Sequence, residues 1–501
     1  MHVAFLNPQG NFDPQDSYWT EHPDFGGQLV YVKHVALAMA ELGHNVDILT
    51  RQIVDPDWPE FSGARDAYPG VANVRILRFP AGPHGFMRKE HLWPHLVHDW
   101  VSRVLAFYEE EGALPDAFTA HYGDGGLCGV LIEDRTGVPF TFTAHSLGAQ
   151  KMDKLNVTPS TLTARDVAFH FARRLVAERL SMNRSAVNVT STRQERLEQY
   201  AHPAYRGAVD VDDDRRFAVI PPGVNLRIFG VDVRSPDETT TQAHVRAMLA
   251  RDLAEDRRAQ PAVIASSRLD PKKNIIALVR AFAQSSELQQ RANLVLFTGA
   301  LNDPLREDAG TDTTEHRVME EIREVVEASA LTGKISAFAV RGQPALAAAY
   351  RYLAQRRSVF ALTALYEPFG LAPLEAAAAG LPLVVTQNGG PSESLHDGGI
   401  EYGVLVDPED THAIAQGLLR LLRDQGTWEA FARRGRQRVL DRYTWERTAS
   451  GYLREIEAMV ADPGGRRSGT LLPIHPYFRD PTPENDVTLD ELRAIYFGGP
   501  T

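Results

Sequence analysis

A single cysteine in 501 residues excludes an intrachain disulfide framework and a cysteine metal site. Cys128 lies in Gly-Leu-Cys-Gly-Val-Leu, where a small buried side chain fits better than a nucleophile. No run of 18 apolar residues occurs, so no transmembrane helix is predicted. No charged segment with a long apolar core precedes Val3-Ala-Phe-Leu6, and a cytoplasmic location is expected. Excess positive charge is also missing: 53 Lys and Arg stand against 65 Asp and Glu, a net charge of −12. Nucleic acid and anionic membrane are therefore not expected partners, and any bound phosphate must meet local clusters of basic residues. There is no repeat of fixed period, no low-complexity block and no G-x-G-x-x-G spacing, so a tightly held dinucleotide is not implied.

What is present reads as α/β. Charged residues make up 24% and apolar residues 43%, as in ordinary soluble chains. The length suffices for two or three domains with large cores. A strand at 2–6 leads through a polar loop to Gly26-Gly27, then a helical apolar spacing over 29–42 and a strand at 46–49. This is a βαβ opening, and glycines at a helix start let backbone N–H groups approach a ligand. Alone, a Gly-Gly pair is more often a plain turn. The pattern returns where 117–120 runs into His121-Tyr122-Gly123-Asp124-Gly125-Gly126. Phe140-Thr-Phe-Thr-Ala-His145 is a strand ending on a histidine, which taken alone reads as a structural residue. A strand into Pro221-Pro222-Gly223, followed by polar residues through Pro236, marks a hinge. Further strands are predicted near 262–267, 293–298, 333–340, 358–364 and 383–386. The expectation is one α/β domain over 1–222, a second over 223–460, and a tail over 461–501 that packs back on the first domain or stays loose.

Residues 366–380, Tyr-Glu-Pro-Phe-Gly-Leu-Ala-Pro-Leu-Glu-Ala-Ala-Ala-Ala-Gly, carry the densest chemistry. Pro373 suits the first turn of a helix, which places Glu367 in a loop and Glu375 inside the helix that Gly380 ends. A lone glutamate on an alanine-rich helix is usually solvated, but Tyr366, Pro368, Phe369 and Gly370 crowd Glu367 more than solubility requires. Arg268 and Lys273, five apart across Pro271, suit convergence on one anion. The acidic run 210–214 reads as a solvated loop, not a metal site.

The 366–380 run resembles the E-x7-E motif of retaining glycosyltransferases of family 4, which have the GT-B arrangement of two Rossmann-like domains. That resemblance implies that Glu367 touches the donor sugar, with Phe369, Gly370 and Leu371 beside it. It implies that Glu375 holds the ribose hydroxyls of a sugar nucleotide, since a carboxylate accepts two hydrogen bonds from a diol. Arg268-Leu-Asp-Pro-Lys-Lys-Asn274 resembles the family's diphosphate clamp, and Arg341-Gly-Gln the stretch whose backbone meets the base. Asp24-Phe-Gly-Gly-Gln-Leu-Val-Tyr-Val32 resembles the glycine loop of sucrose-phosphate synthases and sucrose synthases. There Gly26 and Gly27 would meet the donor diphosphate, and Gly26 and Gln28 the acceptor sugar. By the same resemblance His145 lies against the donor sugar, while Lys89, Tyr122, Ser146, Lys151 and Arg174 take the acceptor and its phosphate. Ala172 departs from the pattern, which has a polar residue there.

The resemblance runs from residue 2 to 460. It implies two domains facing across a deep cleft, with the donor mainly on the second, the acceptor on the first, and closure excluding water. The implied reaction moves glucose from UDP-glucose or ADP-glucose to fructose 6-phosphate with retained configuration, giving sucrose 6-phosphate. His145, Glu367, Arg268 and Lys273 are its expected catalytic residues. No cofactor is required, the sugar nucleotide being a substrate, and a divalent metal enters only as an optional stimulator held by no motif. A separate sugar-phosphate phosphatase is the expected protein partner. Two rivals use the same fold: a mannosylfructose-phosphate synthase taking GDP-mannose, and a non-catalytic sugar-nucleotide sensor. A sensor could lose His145, Glu367, Arg268 and Lys273, and all four are present.

Overall fold

A strand apolar on both faces is stable only in a sheet covered on both sides, and both sheets here are of that kind. The computed structural model describes residues 1–19, 26–299, 301–306, 313–466 and 469–498. Asp24 and Phe25 of the glycine-loop motif lie outside the described residues. The chain forms two units, Met1–Pro221 with Thr448–Thr501, and Pro222–Arg447.

The first unit holds β1 (His2–Leu6), β2 (Asn45–Arg51), β3 (Arg65–Asp66), β4 (Val74–Phe79), β5 (Ala117–His121), β6 (Phe140–Thr143), β7 (Val187–Thr190) and β8 (Phe217–Val219). Their order is β3-β4-β2-β1-β5-β6-β7-β8, parallel except for the short β3. Successive crossovers run one way from β1 through β2 to β4, then restart on the other side at β5. That switch point opens a crevice beyond the carboxyl ends of β1 and β5, where ligands of such sheets bind. The helices that matter to it are α1 (Gly27–Glu41), α2 (Tyr122–Thr136), α3 (Gly148–Lys154) and α4 (Phe171–Arg184). The basic helix α4 begins at Phe171. His170 breaks it from the preceding helix with a left-handed φ of 48°.

The second unit holds β9 (Ala262–Ser266), β10 (Asn293–Thr298), β11 (Ile335–Ala339), β12 (Val359–Leu362), β13 (Leu383–Thr386), a two-stranded ribbon of β14 (His396–Asp397) with β15 (Ile400–Glu401), and β16 (Val404–Val406). The six main strands are parallel in the order β11-β10-β9-β12-β13-β16. Alternate residues of one strand feed two cores. Val263 and Ala265 pack on one face with Ile275 and Leu278 of α5 (Ile275–Gln284), while Ala262 and Ile264 pack on the other with Leu374 of α6 (Leu371–Ala378). Here the switch lies between β9 and β12, so the loops that follow these two strands are neighbours.

The tail packs on the first unit. Ile474, Tyr477, Phe478, Val487 and Leu492 are buried in its core. Asp486 receives Arg173 of α4 at 2.7 Å, and the Tyr496 hydroxyl donates to Asp153 of α3. The sequence boundary at 460 is displaced: from Thr448 the chain already belongs to the first unit. Thr448 Oγ1 donates to the Pro221 carbonyl, and an added Cβ at Gly451 would sit 3.0 Å from Ile220. One uninterrupted helix, α7 (Trp445–Ala461), carries the chain across, and an unbroken helical pattern gives no mark of the crossing.

Candidate active site

In the second unit the β9 and β12 loops meet in an ion pair. Lys273 Nζ donates to Glu367 Oε2 at 2.8 Å, and both side chains are partly buried. The neighbouring backbone holds the two loops together, the Leu365 N–H donating to the Lys272 carbonyl and Thr363 Oγ1 to the Asn274 carbonyl. From the other side, Glu367 donates its N–H to the Asn388 carbonyl and accepts at its own carbonyl from Gly390. Gly389 allows this approach: it has a φ of +97°, and a Cβ there would lie 2.1 Å from the Glu367 carbonyl oxygen. Gly370, with a φ of +98°, turns the loop into α6, so Leu371 opens a helix whose free N–H groups lie beside Glu367. Phe369 packs edge-on to Tyr443.

Glu375 falls inside α6, as the sequence indicated, and there burial pushes its carboxyl up to about 7. The expected clamp is in two different states. Lys273 is occupied by Glu367, whereas Arg268 is exposed and its guanidinium engages no ion pair among the described residues. Arg341 is exposed just past β11, at the edge of the sheet.

In the first unit, Lys89, Tyr122 and Arg174 line one pocket with Glu90, Trp93, Asp124 and Phe169. Arg174 lies over the Tyr122 ring at 4.6 Å, and Lys89 faces the same ring at 6.0 Å. Lys151 sits 4.0 Å above the ring of Phe169, so its ammonium is adjacent to the pocket. Arg174 Nη2 donates to the Ser146 carbonyl at 2.8 Å, which ties the exposed Ser146 to the same cluster. Ala172 is buried in the core, and its N–H donates to Asp166, so that position offers the pocket no side-chain contact. Gly26 caps α1 and Gly27 begins it, while the Gln28 amide is shared with Asn7 and Gln9. None of these three lines the pocket.

His145 follows β6 with a left-handed φ of 55°, a strained conformation for a residue with a Cβ. Its Nε2 meets His121 Nδ1 at 2.8 Å, and Tyr31 of α1 stands edge-on to its ring at 5.0 Å. Burial pushes His145 down to about 3, so the imidazole is neutral and acts through hydrogen bonds rather than charge. His121 in turn contacts Thr119, and Thr119 accepts from Thr141, a chain of polar groups fixed by adjacent strands.

Sequence reading missed three participants. Glu178 is fully buried, accepts from both the Gly148 N–H and the Tyr205 hydroxyl, and takes Arg174 Nε at 2.8 Å. Its i,i+4 spacing from Arg174 on one helix was the available signal. His121 and Asp124 were visible only as parts of a glycine-rich helix opening, and nothing local to that run shows that both are buried.

Residues 26–223 match the family described as glycosyl transferase 4-like domain, and residues 254–438 the family described as glycosyl transferases group 1. Over 459 residues the chain is 41% identical to a probable sucrose-phosphate synthase of Thermosipho melanesiensis, covering 91% of this chain and 96% of that one. The chain belongs to the sucrose-phosphate synthase family. Plant members of the family are longer: the Zea mays sucrose-phosphate synthase is 31% identical over 516 residues, and the match covers 47% of its length. Among solved structures, the sucrose-phosphate synthase of Thermosynechococcus elongatus superposes with a TM-score of 0.61 at 24% identity, covering 92% of this chain and 99% of that one. The catalytic domain of starch synthase IV from Arabidopsis thaliana gives 0.57 at 13% identity, with 92% and 99% covered. This sucrose-phosphate synthase family member thus has the GT-B fold. No helix among its described residues is long and apolar enough to cross a membrane.

Proposed function

We propose that the chain transfers glucose from UDP-glucose or ADP-glucose to fructose 6-phosphate with retained anomeric configuration, giving sucrose 6-phosphate. The observation that carries this reading is the pocket shared by Lys89, Tyr122 and Arg174, with Lys151 beside it. Two or three cations around one small opening suit a phosphate dianion, and an arginine fork adds geometric fit. The 41% identity over most of the chain supports the same acceptor.

In this reading the bond between the anomeric carbon and the diphosphate oxygen breaks, and the acceptor hydroxyl attacks from the same face. Its proton passes to the departing phosphate oxygen. Arg268 and Lys273 stabilise the charge growing on that diphosphate. Glu367, already 2.8 Å from Lys273, binds a hydroxyl of the donor sugar beside it. Neutral His145 offers a hydrogen bond to the same sugar. A double displacement through a pair of carboxylates is disfavoured, because Glu367 and Glu375 both serve in binding the donor.

Nucleoside diphosphate release tests the reading. With fructose 6-phosphate present, UDP or ADP is expected from the corresponding glucose donor and no GDP from GDP-mannose. GDP release would identify the mannosyl enzyme instead, and no release from any donor would favour a sensor.

Glu375 adds a pH dependence. Only its ionised form accepts from two hydroxyls, and burial holds its carboxyl at about 7. Donor kcat/KM at saturating acceptor should therefore fall about tenfold from pH 8 to pH 6. Glu375→Gln should be slower at pH 8 and lack the inflection. An unchanged inflection in the variant would assign it to another group.

A further inference from the structure

The start of α2, directly after β5, carries a side chain that the transfer chemistry leaves unused. Asp124 is 1% exposed, and its Oδ1 accepts from the Gly125 N–H at 2.7 Å. Its other oxygen, Oδ2, is buried and has no hydrogen-bond partner among the described residues. Asp124 nevertheless lines the pocket of Lys89, Tyr122 and Arg174. It is held there because α2 begins hard against β1: an added Cβ at Gly125 would lie 2.4 Å from the Leu6 carbonyl oxygen. A buried oxygen without a partner is costly, and in native proteins it marks a strained group or a functional one.

A phosphate monoester above pH 7 presents only acceptor oxygens and nearly two negative charges. An ionised Asp124 beside it would be an acceptor facing acceptors, with like charges side by side. A neutral carboxyl group removes both conflicts, because its O–H is a donor. We infer that Asp124 takes up one proton from solvent when a phosphate monoester dianion enters this pocket, so that acceptor binding is coupled to protonation and Oδ2–H donates to a phosphate oxygen. No bond to phosphorus or carbon changes in this step. The inference rests on reading the pocket as the acceptor-phosphate subsite.

The surroundings agree. Burial raises the Asp124 carboxyl to about 7, while Lys89 and Arg174 pull the other way. Glu90 stands beside Lys89 and Glu178 behind Arg174. Tyr122 and Cys128 on the same helix, and His121 at the strand end, are all kept neutral by burial at and above pH 7. Asp124 is therefore the group of this cluster poised to change charge just above pH 7.

Calorimetric titration of the full chain with fructose 6-phosphate at pH 7.5, in buffers of different ionisation enthalpy, counts the protons. About 0.8 proton should be taken up, from a free carboxyl near 7 that is neutral when bound. Asp124→Asn should bring this close to zero. The wild-type Kd should rise about eightfold between pH 7.5 and 8.5, and that of the variant should stay flat. Fructose 6-phosphate binding without buffer-dependent heat in the wild type would overturn the inference, as would uptake that persists in Asp124→Asn. Sulfate, a dianion with no titratable proton in this range, serves as the second probe. Proton uptake with sulfate but no binding of fructose 6-phosphate would overturn the acceptor reading and keep the coupling. Binding of neither would overturn both.

Discussion

Lys273→Ala and Arg268→Ala are each expected to lower kcat by 10²–10³-fold while leaving the fold intact. The magnitude is that of removing one preorganised group aimed at charge that develops in the transition state. The effect on stability should be far smaller, for reasons visible in the structure. Arg268 is exposed and engages no ion pair among the described residues, so its loss removes no native ion pair. Lys273 does pair with Glu367, but both side chains are partly solvated, and such pairs contribute about 0–1 kcal/mol. Melting should move by no more than a few degrees in either variant. Nucleoside diphosphate release at saturating donor and acceptor, read beside thermal melting, checks both halves. Near-normal turnover in either variant would remove that residue from the clamp.

The pairing of Lys273 with Glu367 adds a finer expectation. In the empty site the two charges neutralise each other, and a diphosphate arriving at Lys273 must compete with the carboxylate. Glu367→Gln should therefore bind nucleoside diphosphate at least as well as the wild type, although transfer is lost. A clamp read from sequence alone, with two free cations converging on one anion, gives no hint of this competition.

How far the sequence reached follows from what is local. The loop position of Glu367, the helical position of Glu375 and the glycine at position 380 depend on residues within one turn, and Pro373, Gly370 and Gly380 carry that information. The strands were legible because parallel sheets bury both faces and so read as continuous apolar runs. The position of His145 at the end of a strand was legible too, but not its contact with His121, which depends on β5 and β6 being neighbours. Sheet order also brings Lys273 to Glu367, since their loops are 94 residues apart in the chain and adjacent only because β9 pairs with β12. The return of the chain to the first unit at Thr448 was hidden inside an unbroken helix. Asp124 was quoted within its motif but could not be recognised, because its burial comes from Gly125 lying against Leu6, far away in sequence.

Arg174→Ala carries the second large effect, and it falls on two properties at once. Arg174 is buried, donates Nε to Glu178 and Nη2 to the Ser146 carbonyl, and lines the phosphate pocket. Its removal leaves Glu178, which has no exposure, as a buried charge with only the Gly148 N–H and the Tyr205 hydroxyl as donors. Breaking a buried pair in this way costs about 3–5 kcal/mol, enough to lower Tm by about 10 °C in a unit of this size. The acceptor KM should rise at least about 100-fold, since a charge-assisted contact to the phosphate is lost. The two effects can be separated. Arg174→Ala combined with Glu178→Gln removes the stranded charge, so most of the lost Tm should return while the acceptor KM stays high. Arg174→Lys keeps the charge but cannot reach Glu178, Ser146 and a phosphate together, so it should be intermediate in both properties. If the double variant recovered acceptor affinity along with stability, Arg174 would be a structural residue and the phosphate would be held by Lys89 and Lys151 alone. If it recovered stability only, one arginine both closes the first unit around Glu178 and reads the acceptor, which is why the pocket is rigid before the phosphate arrives.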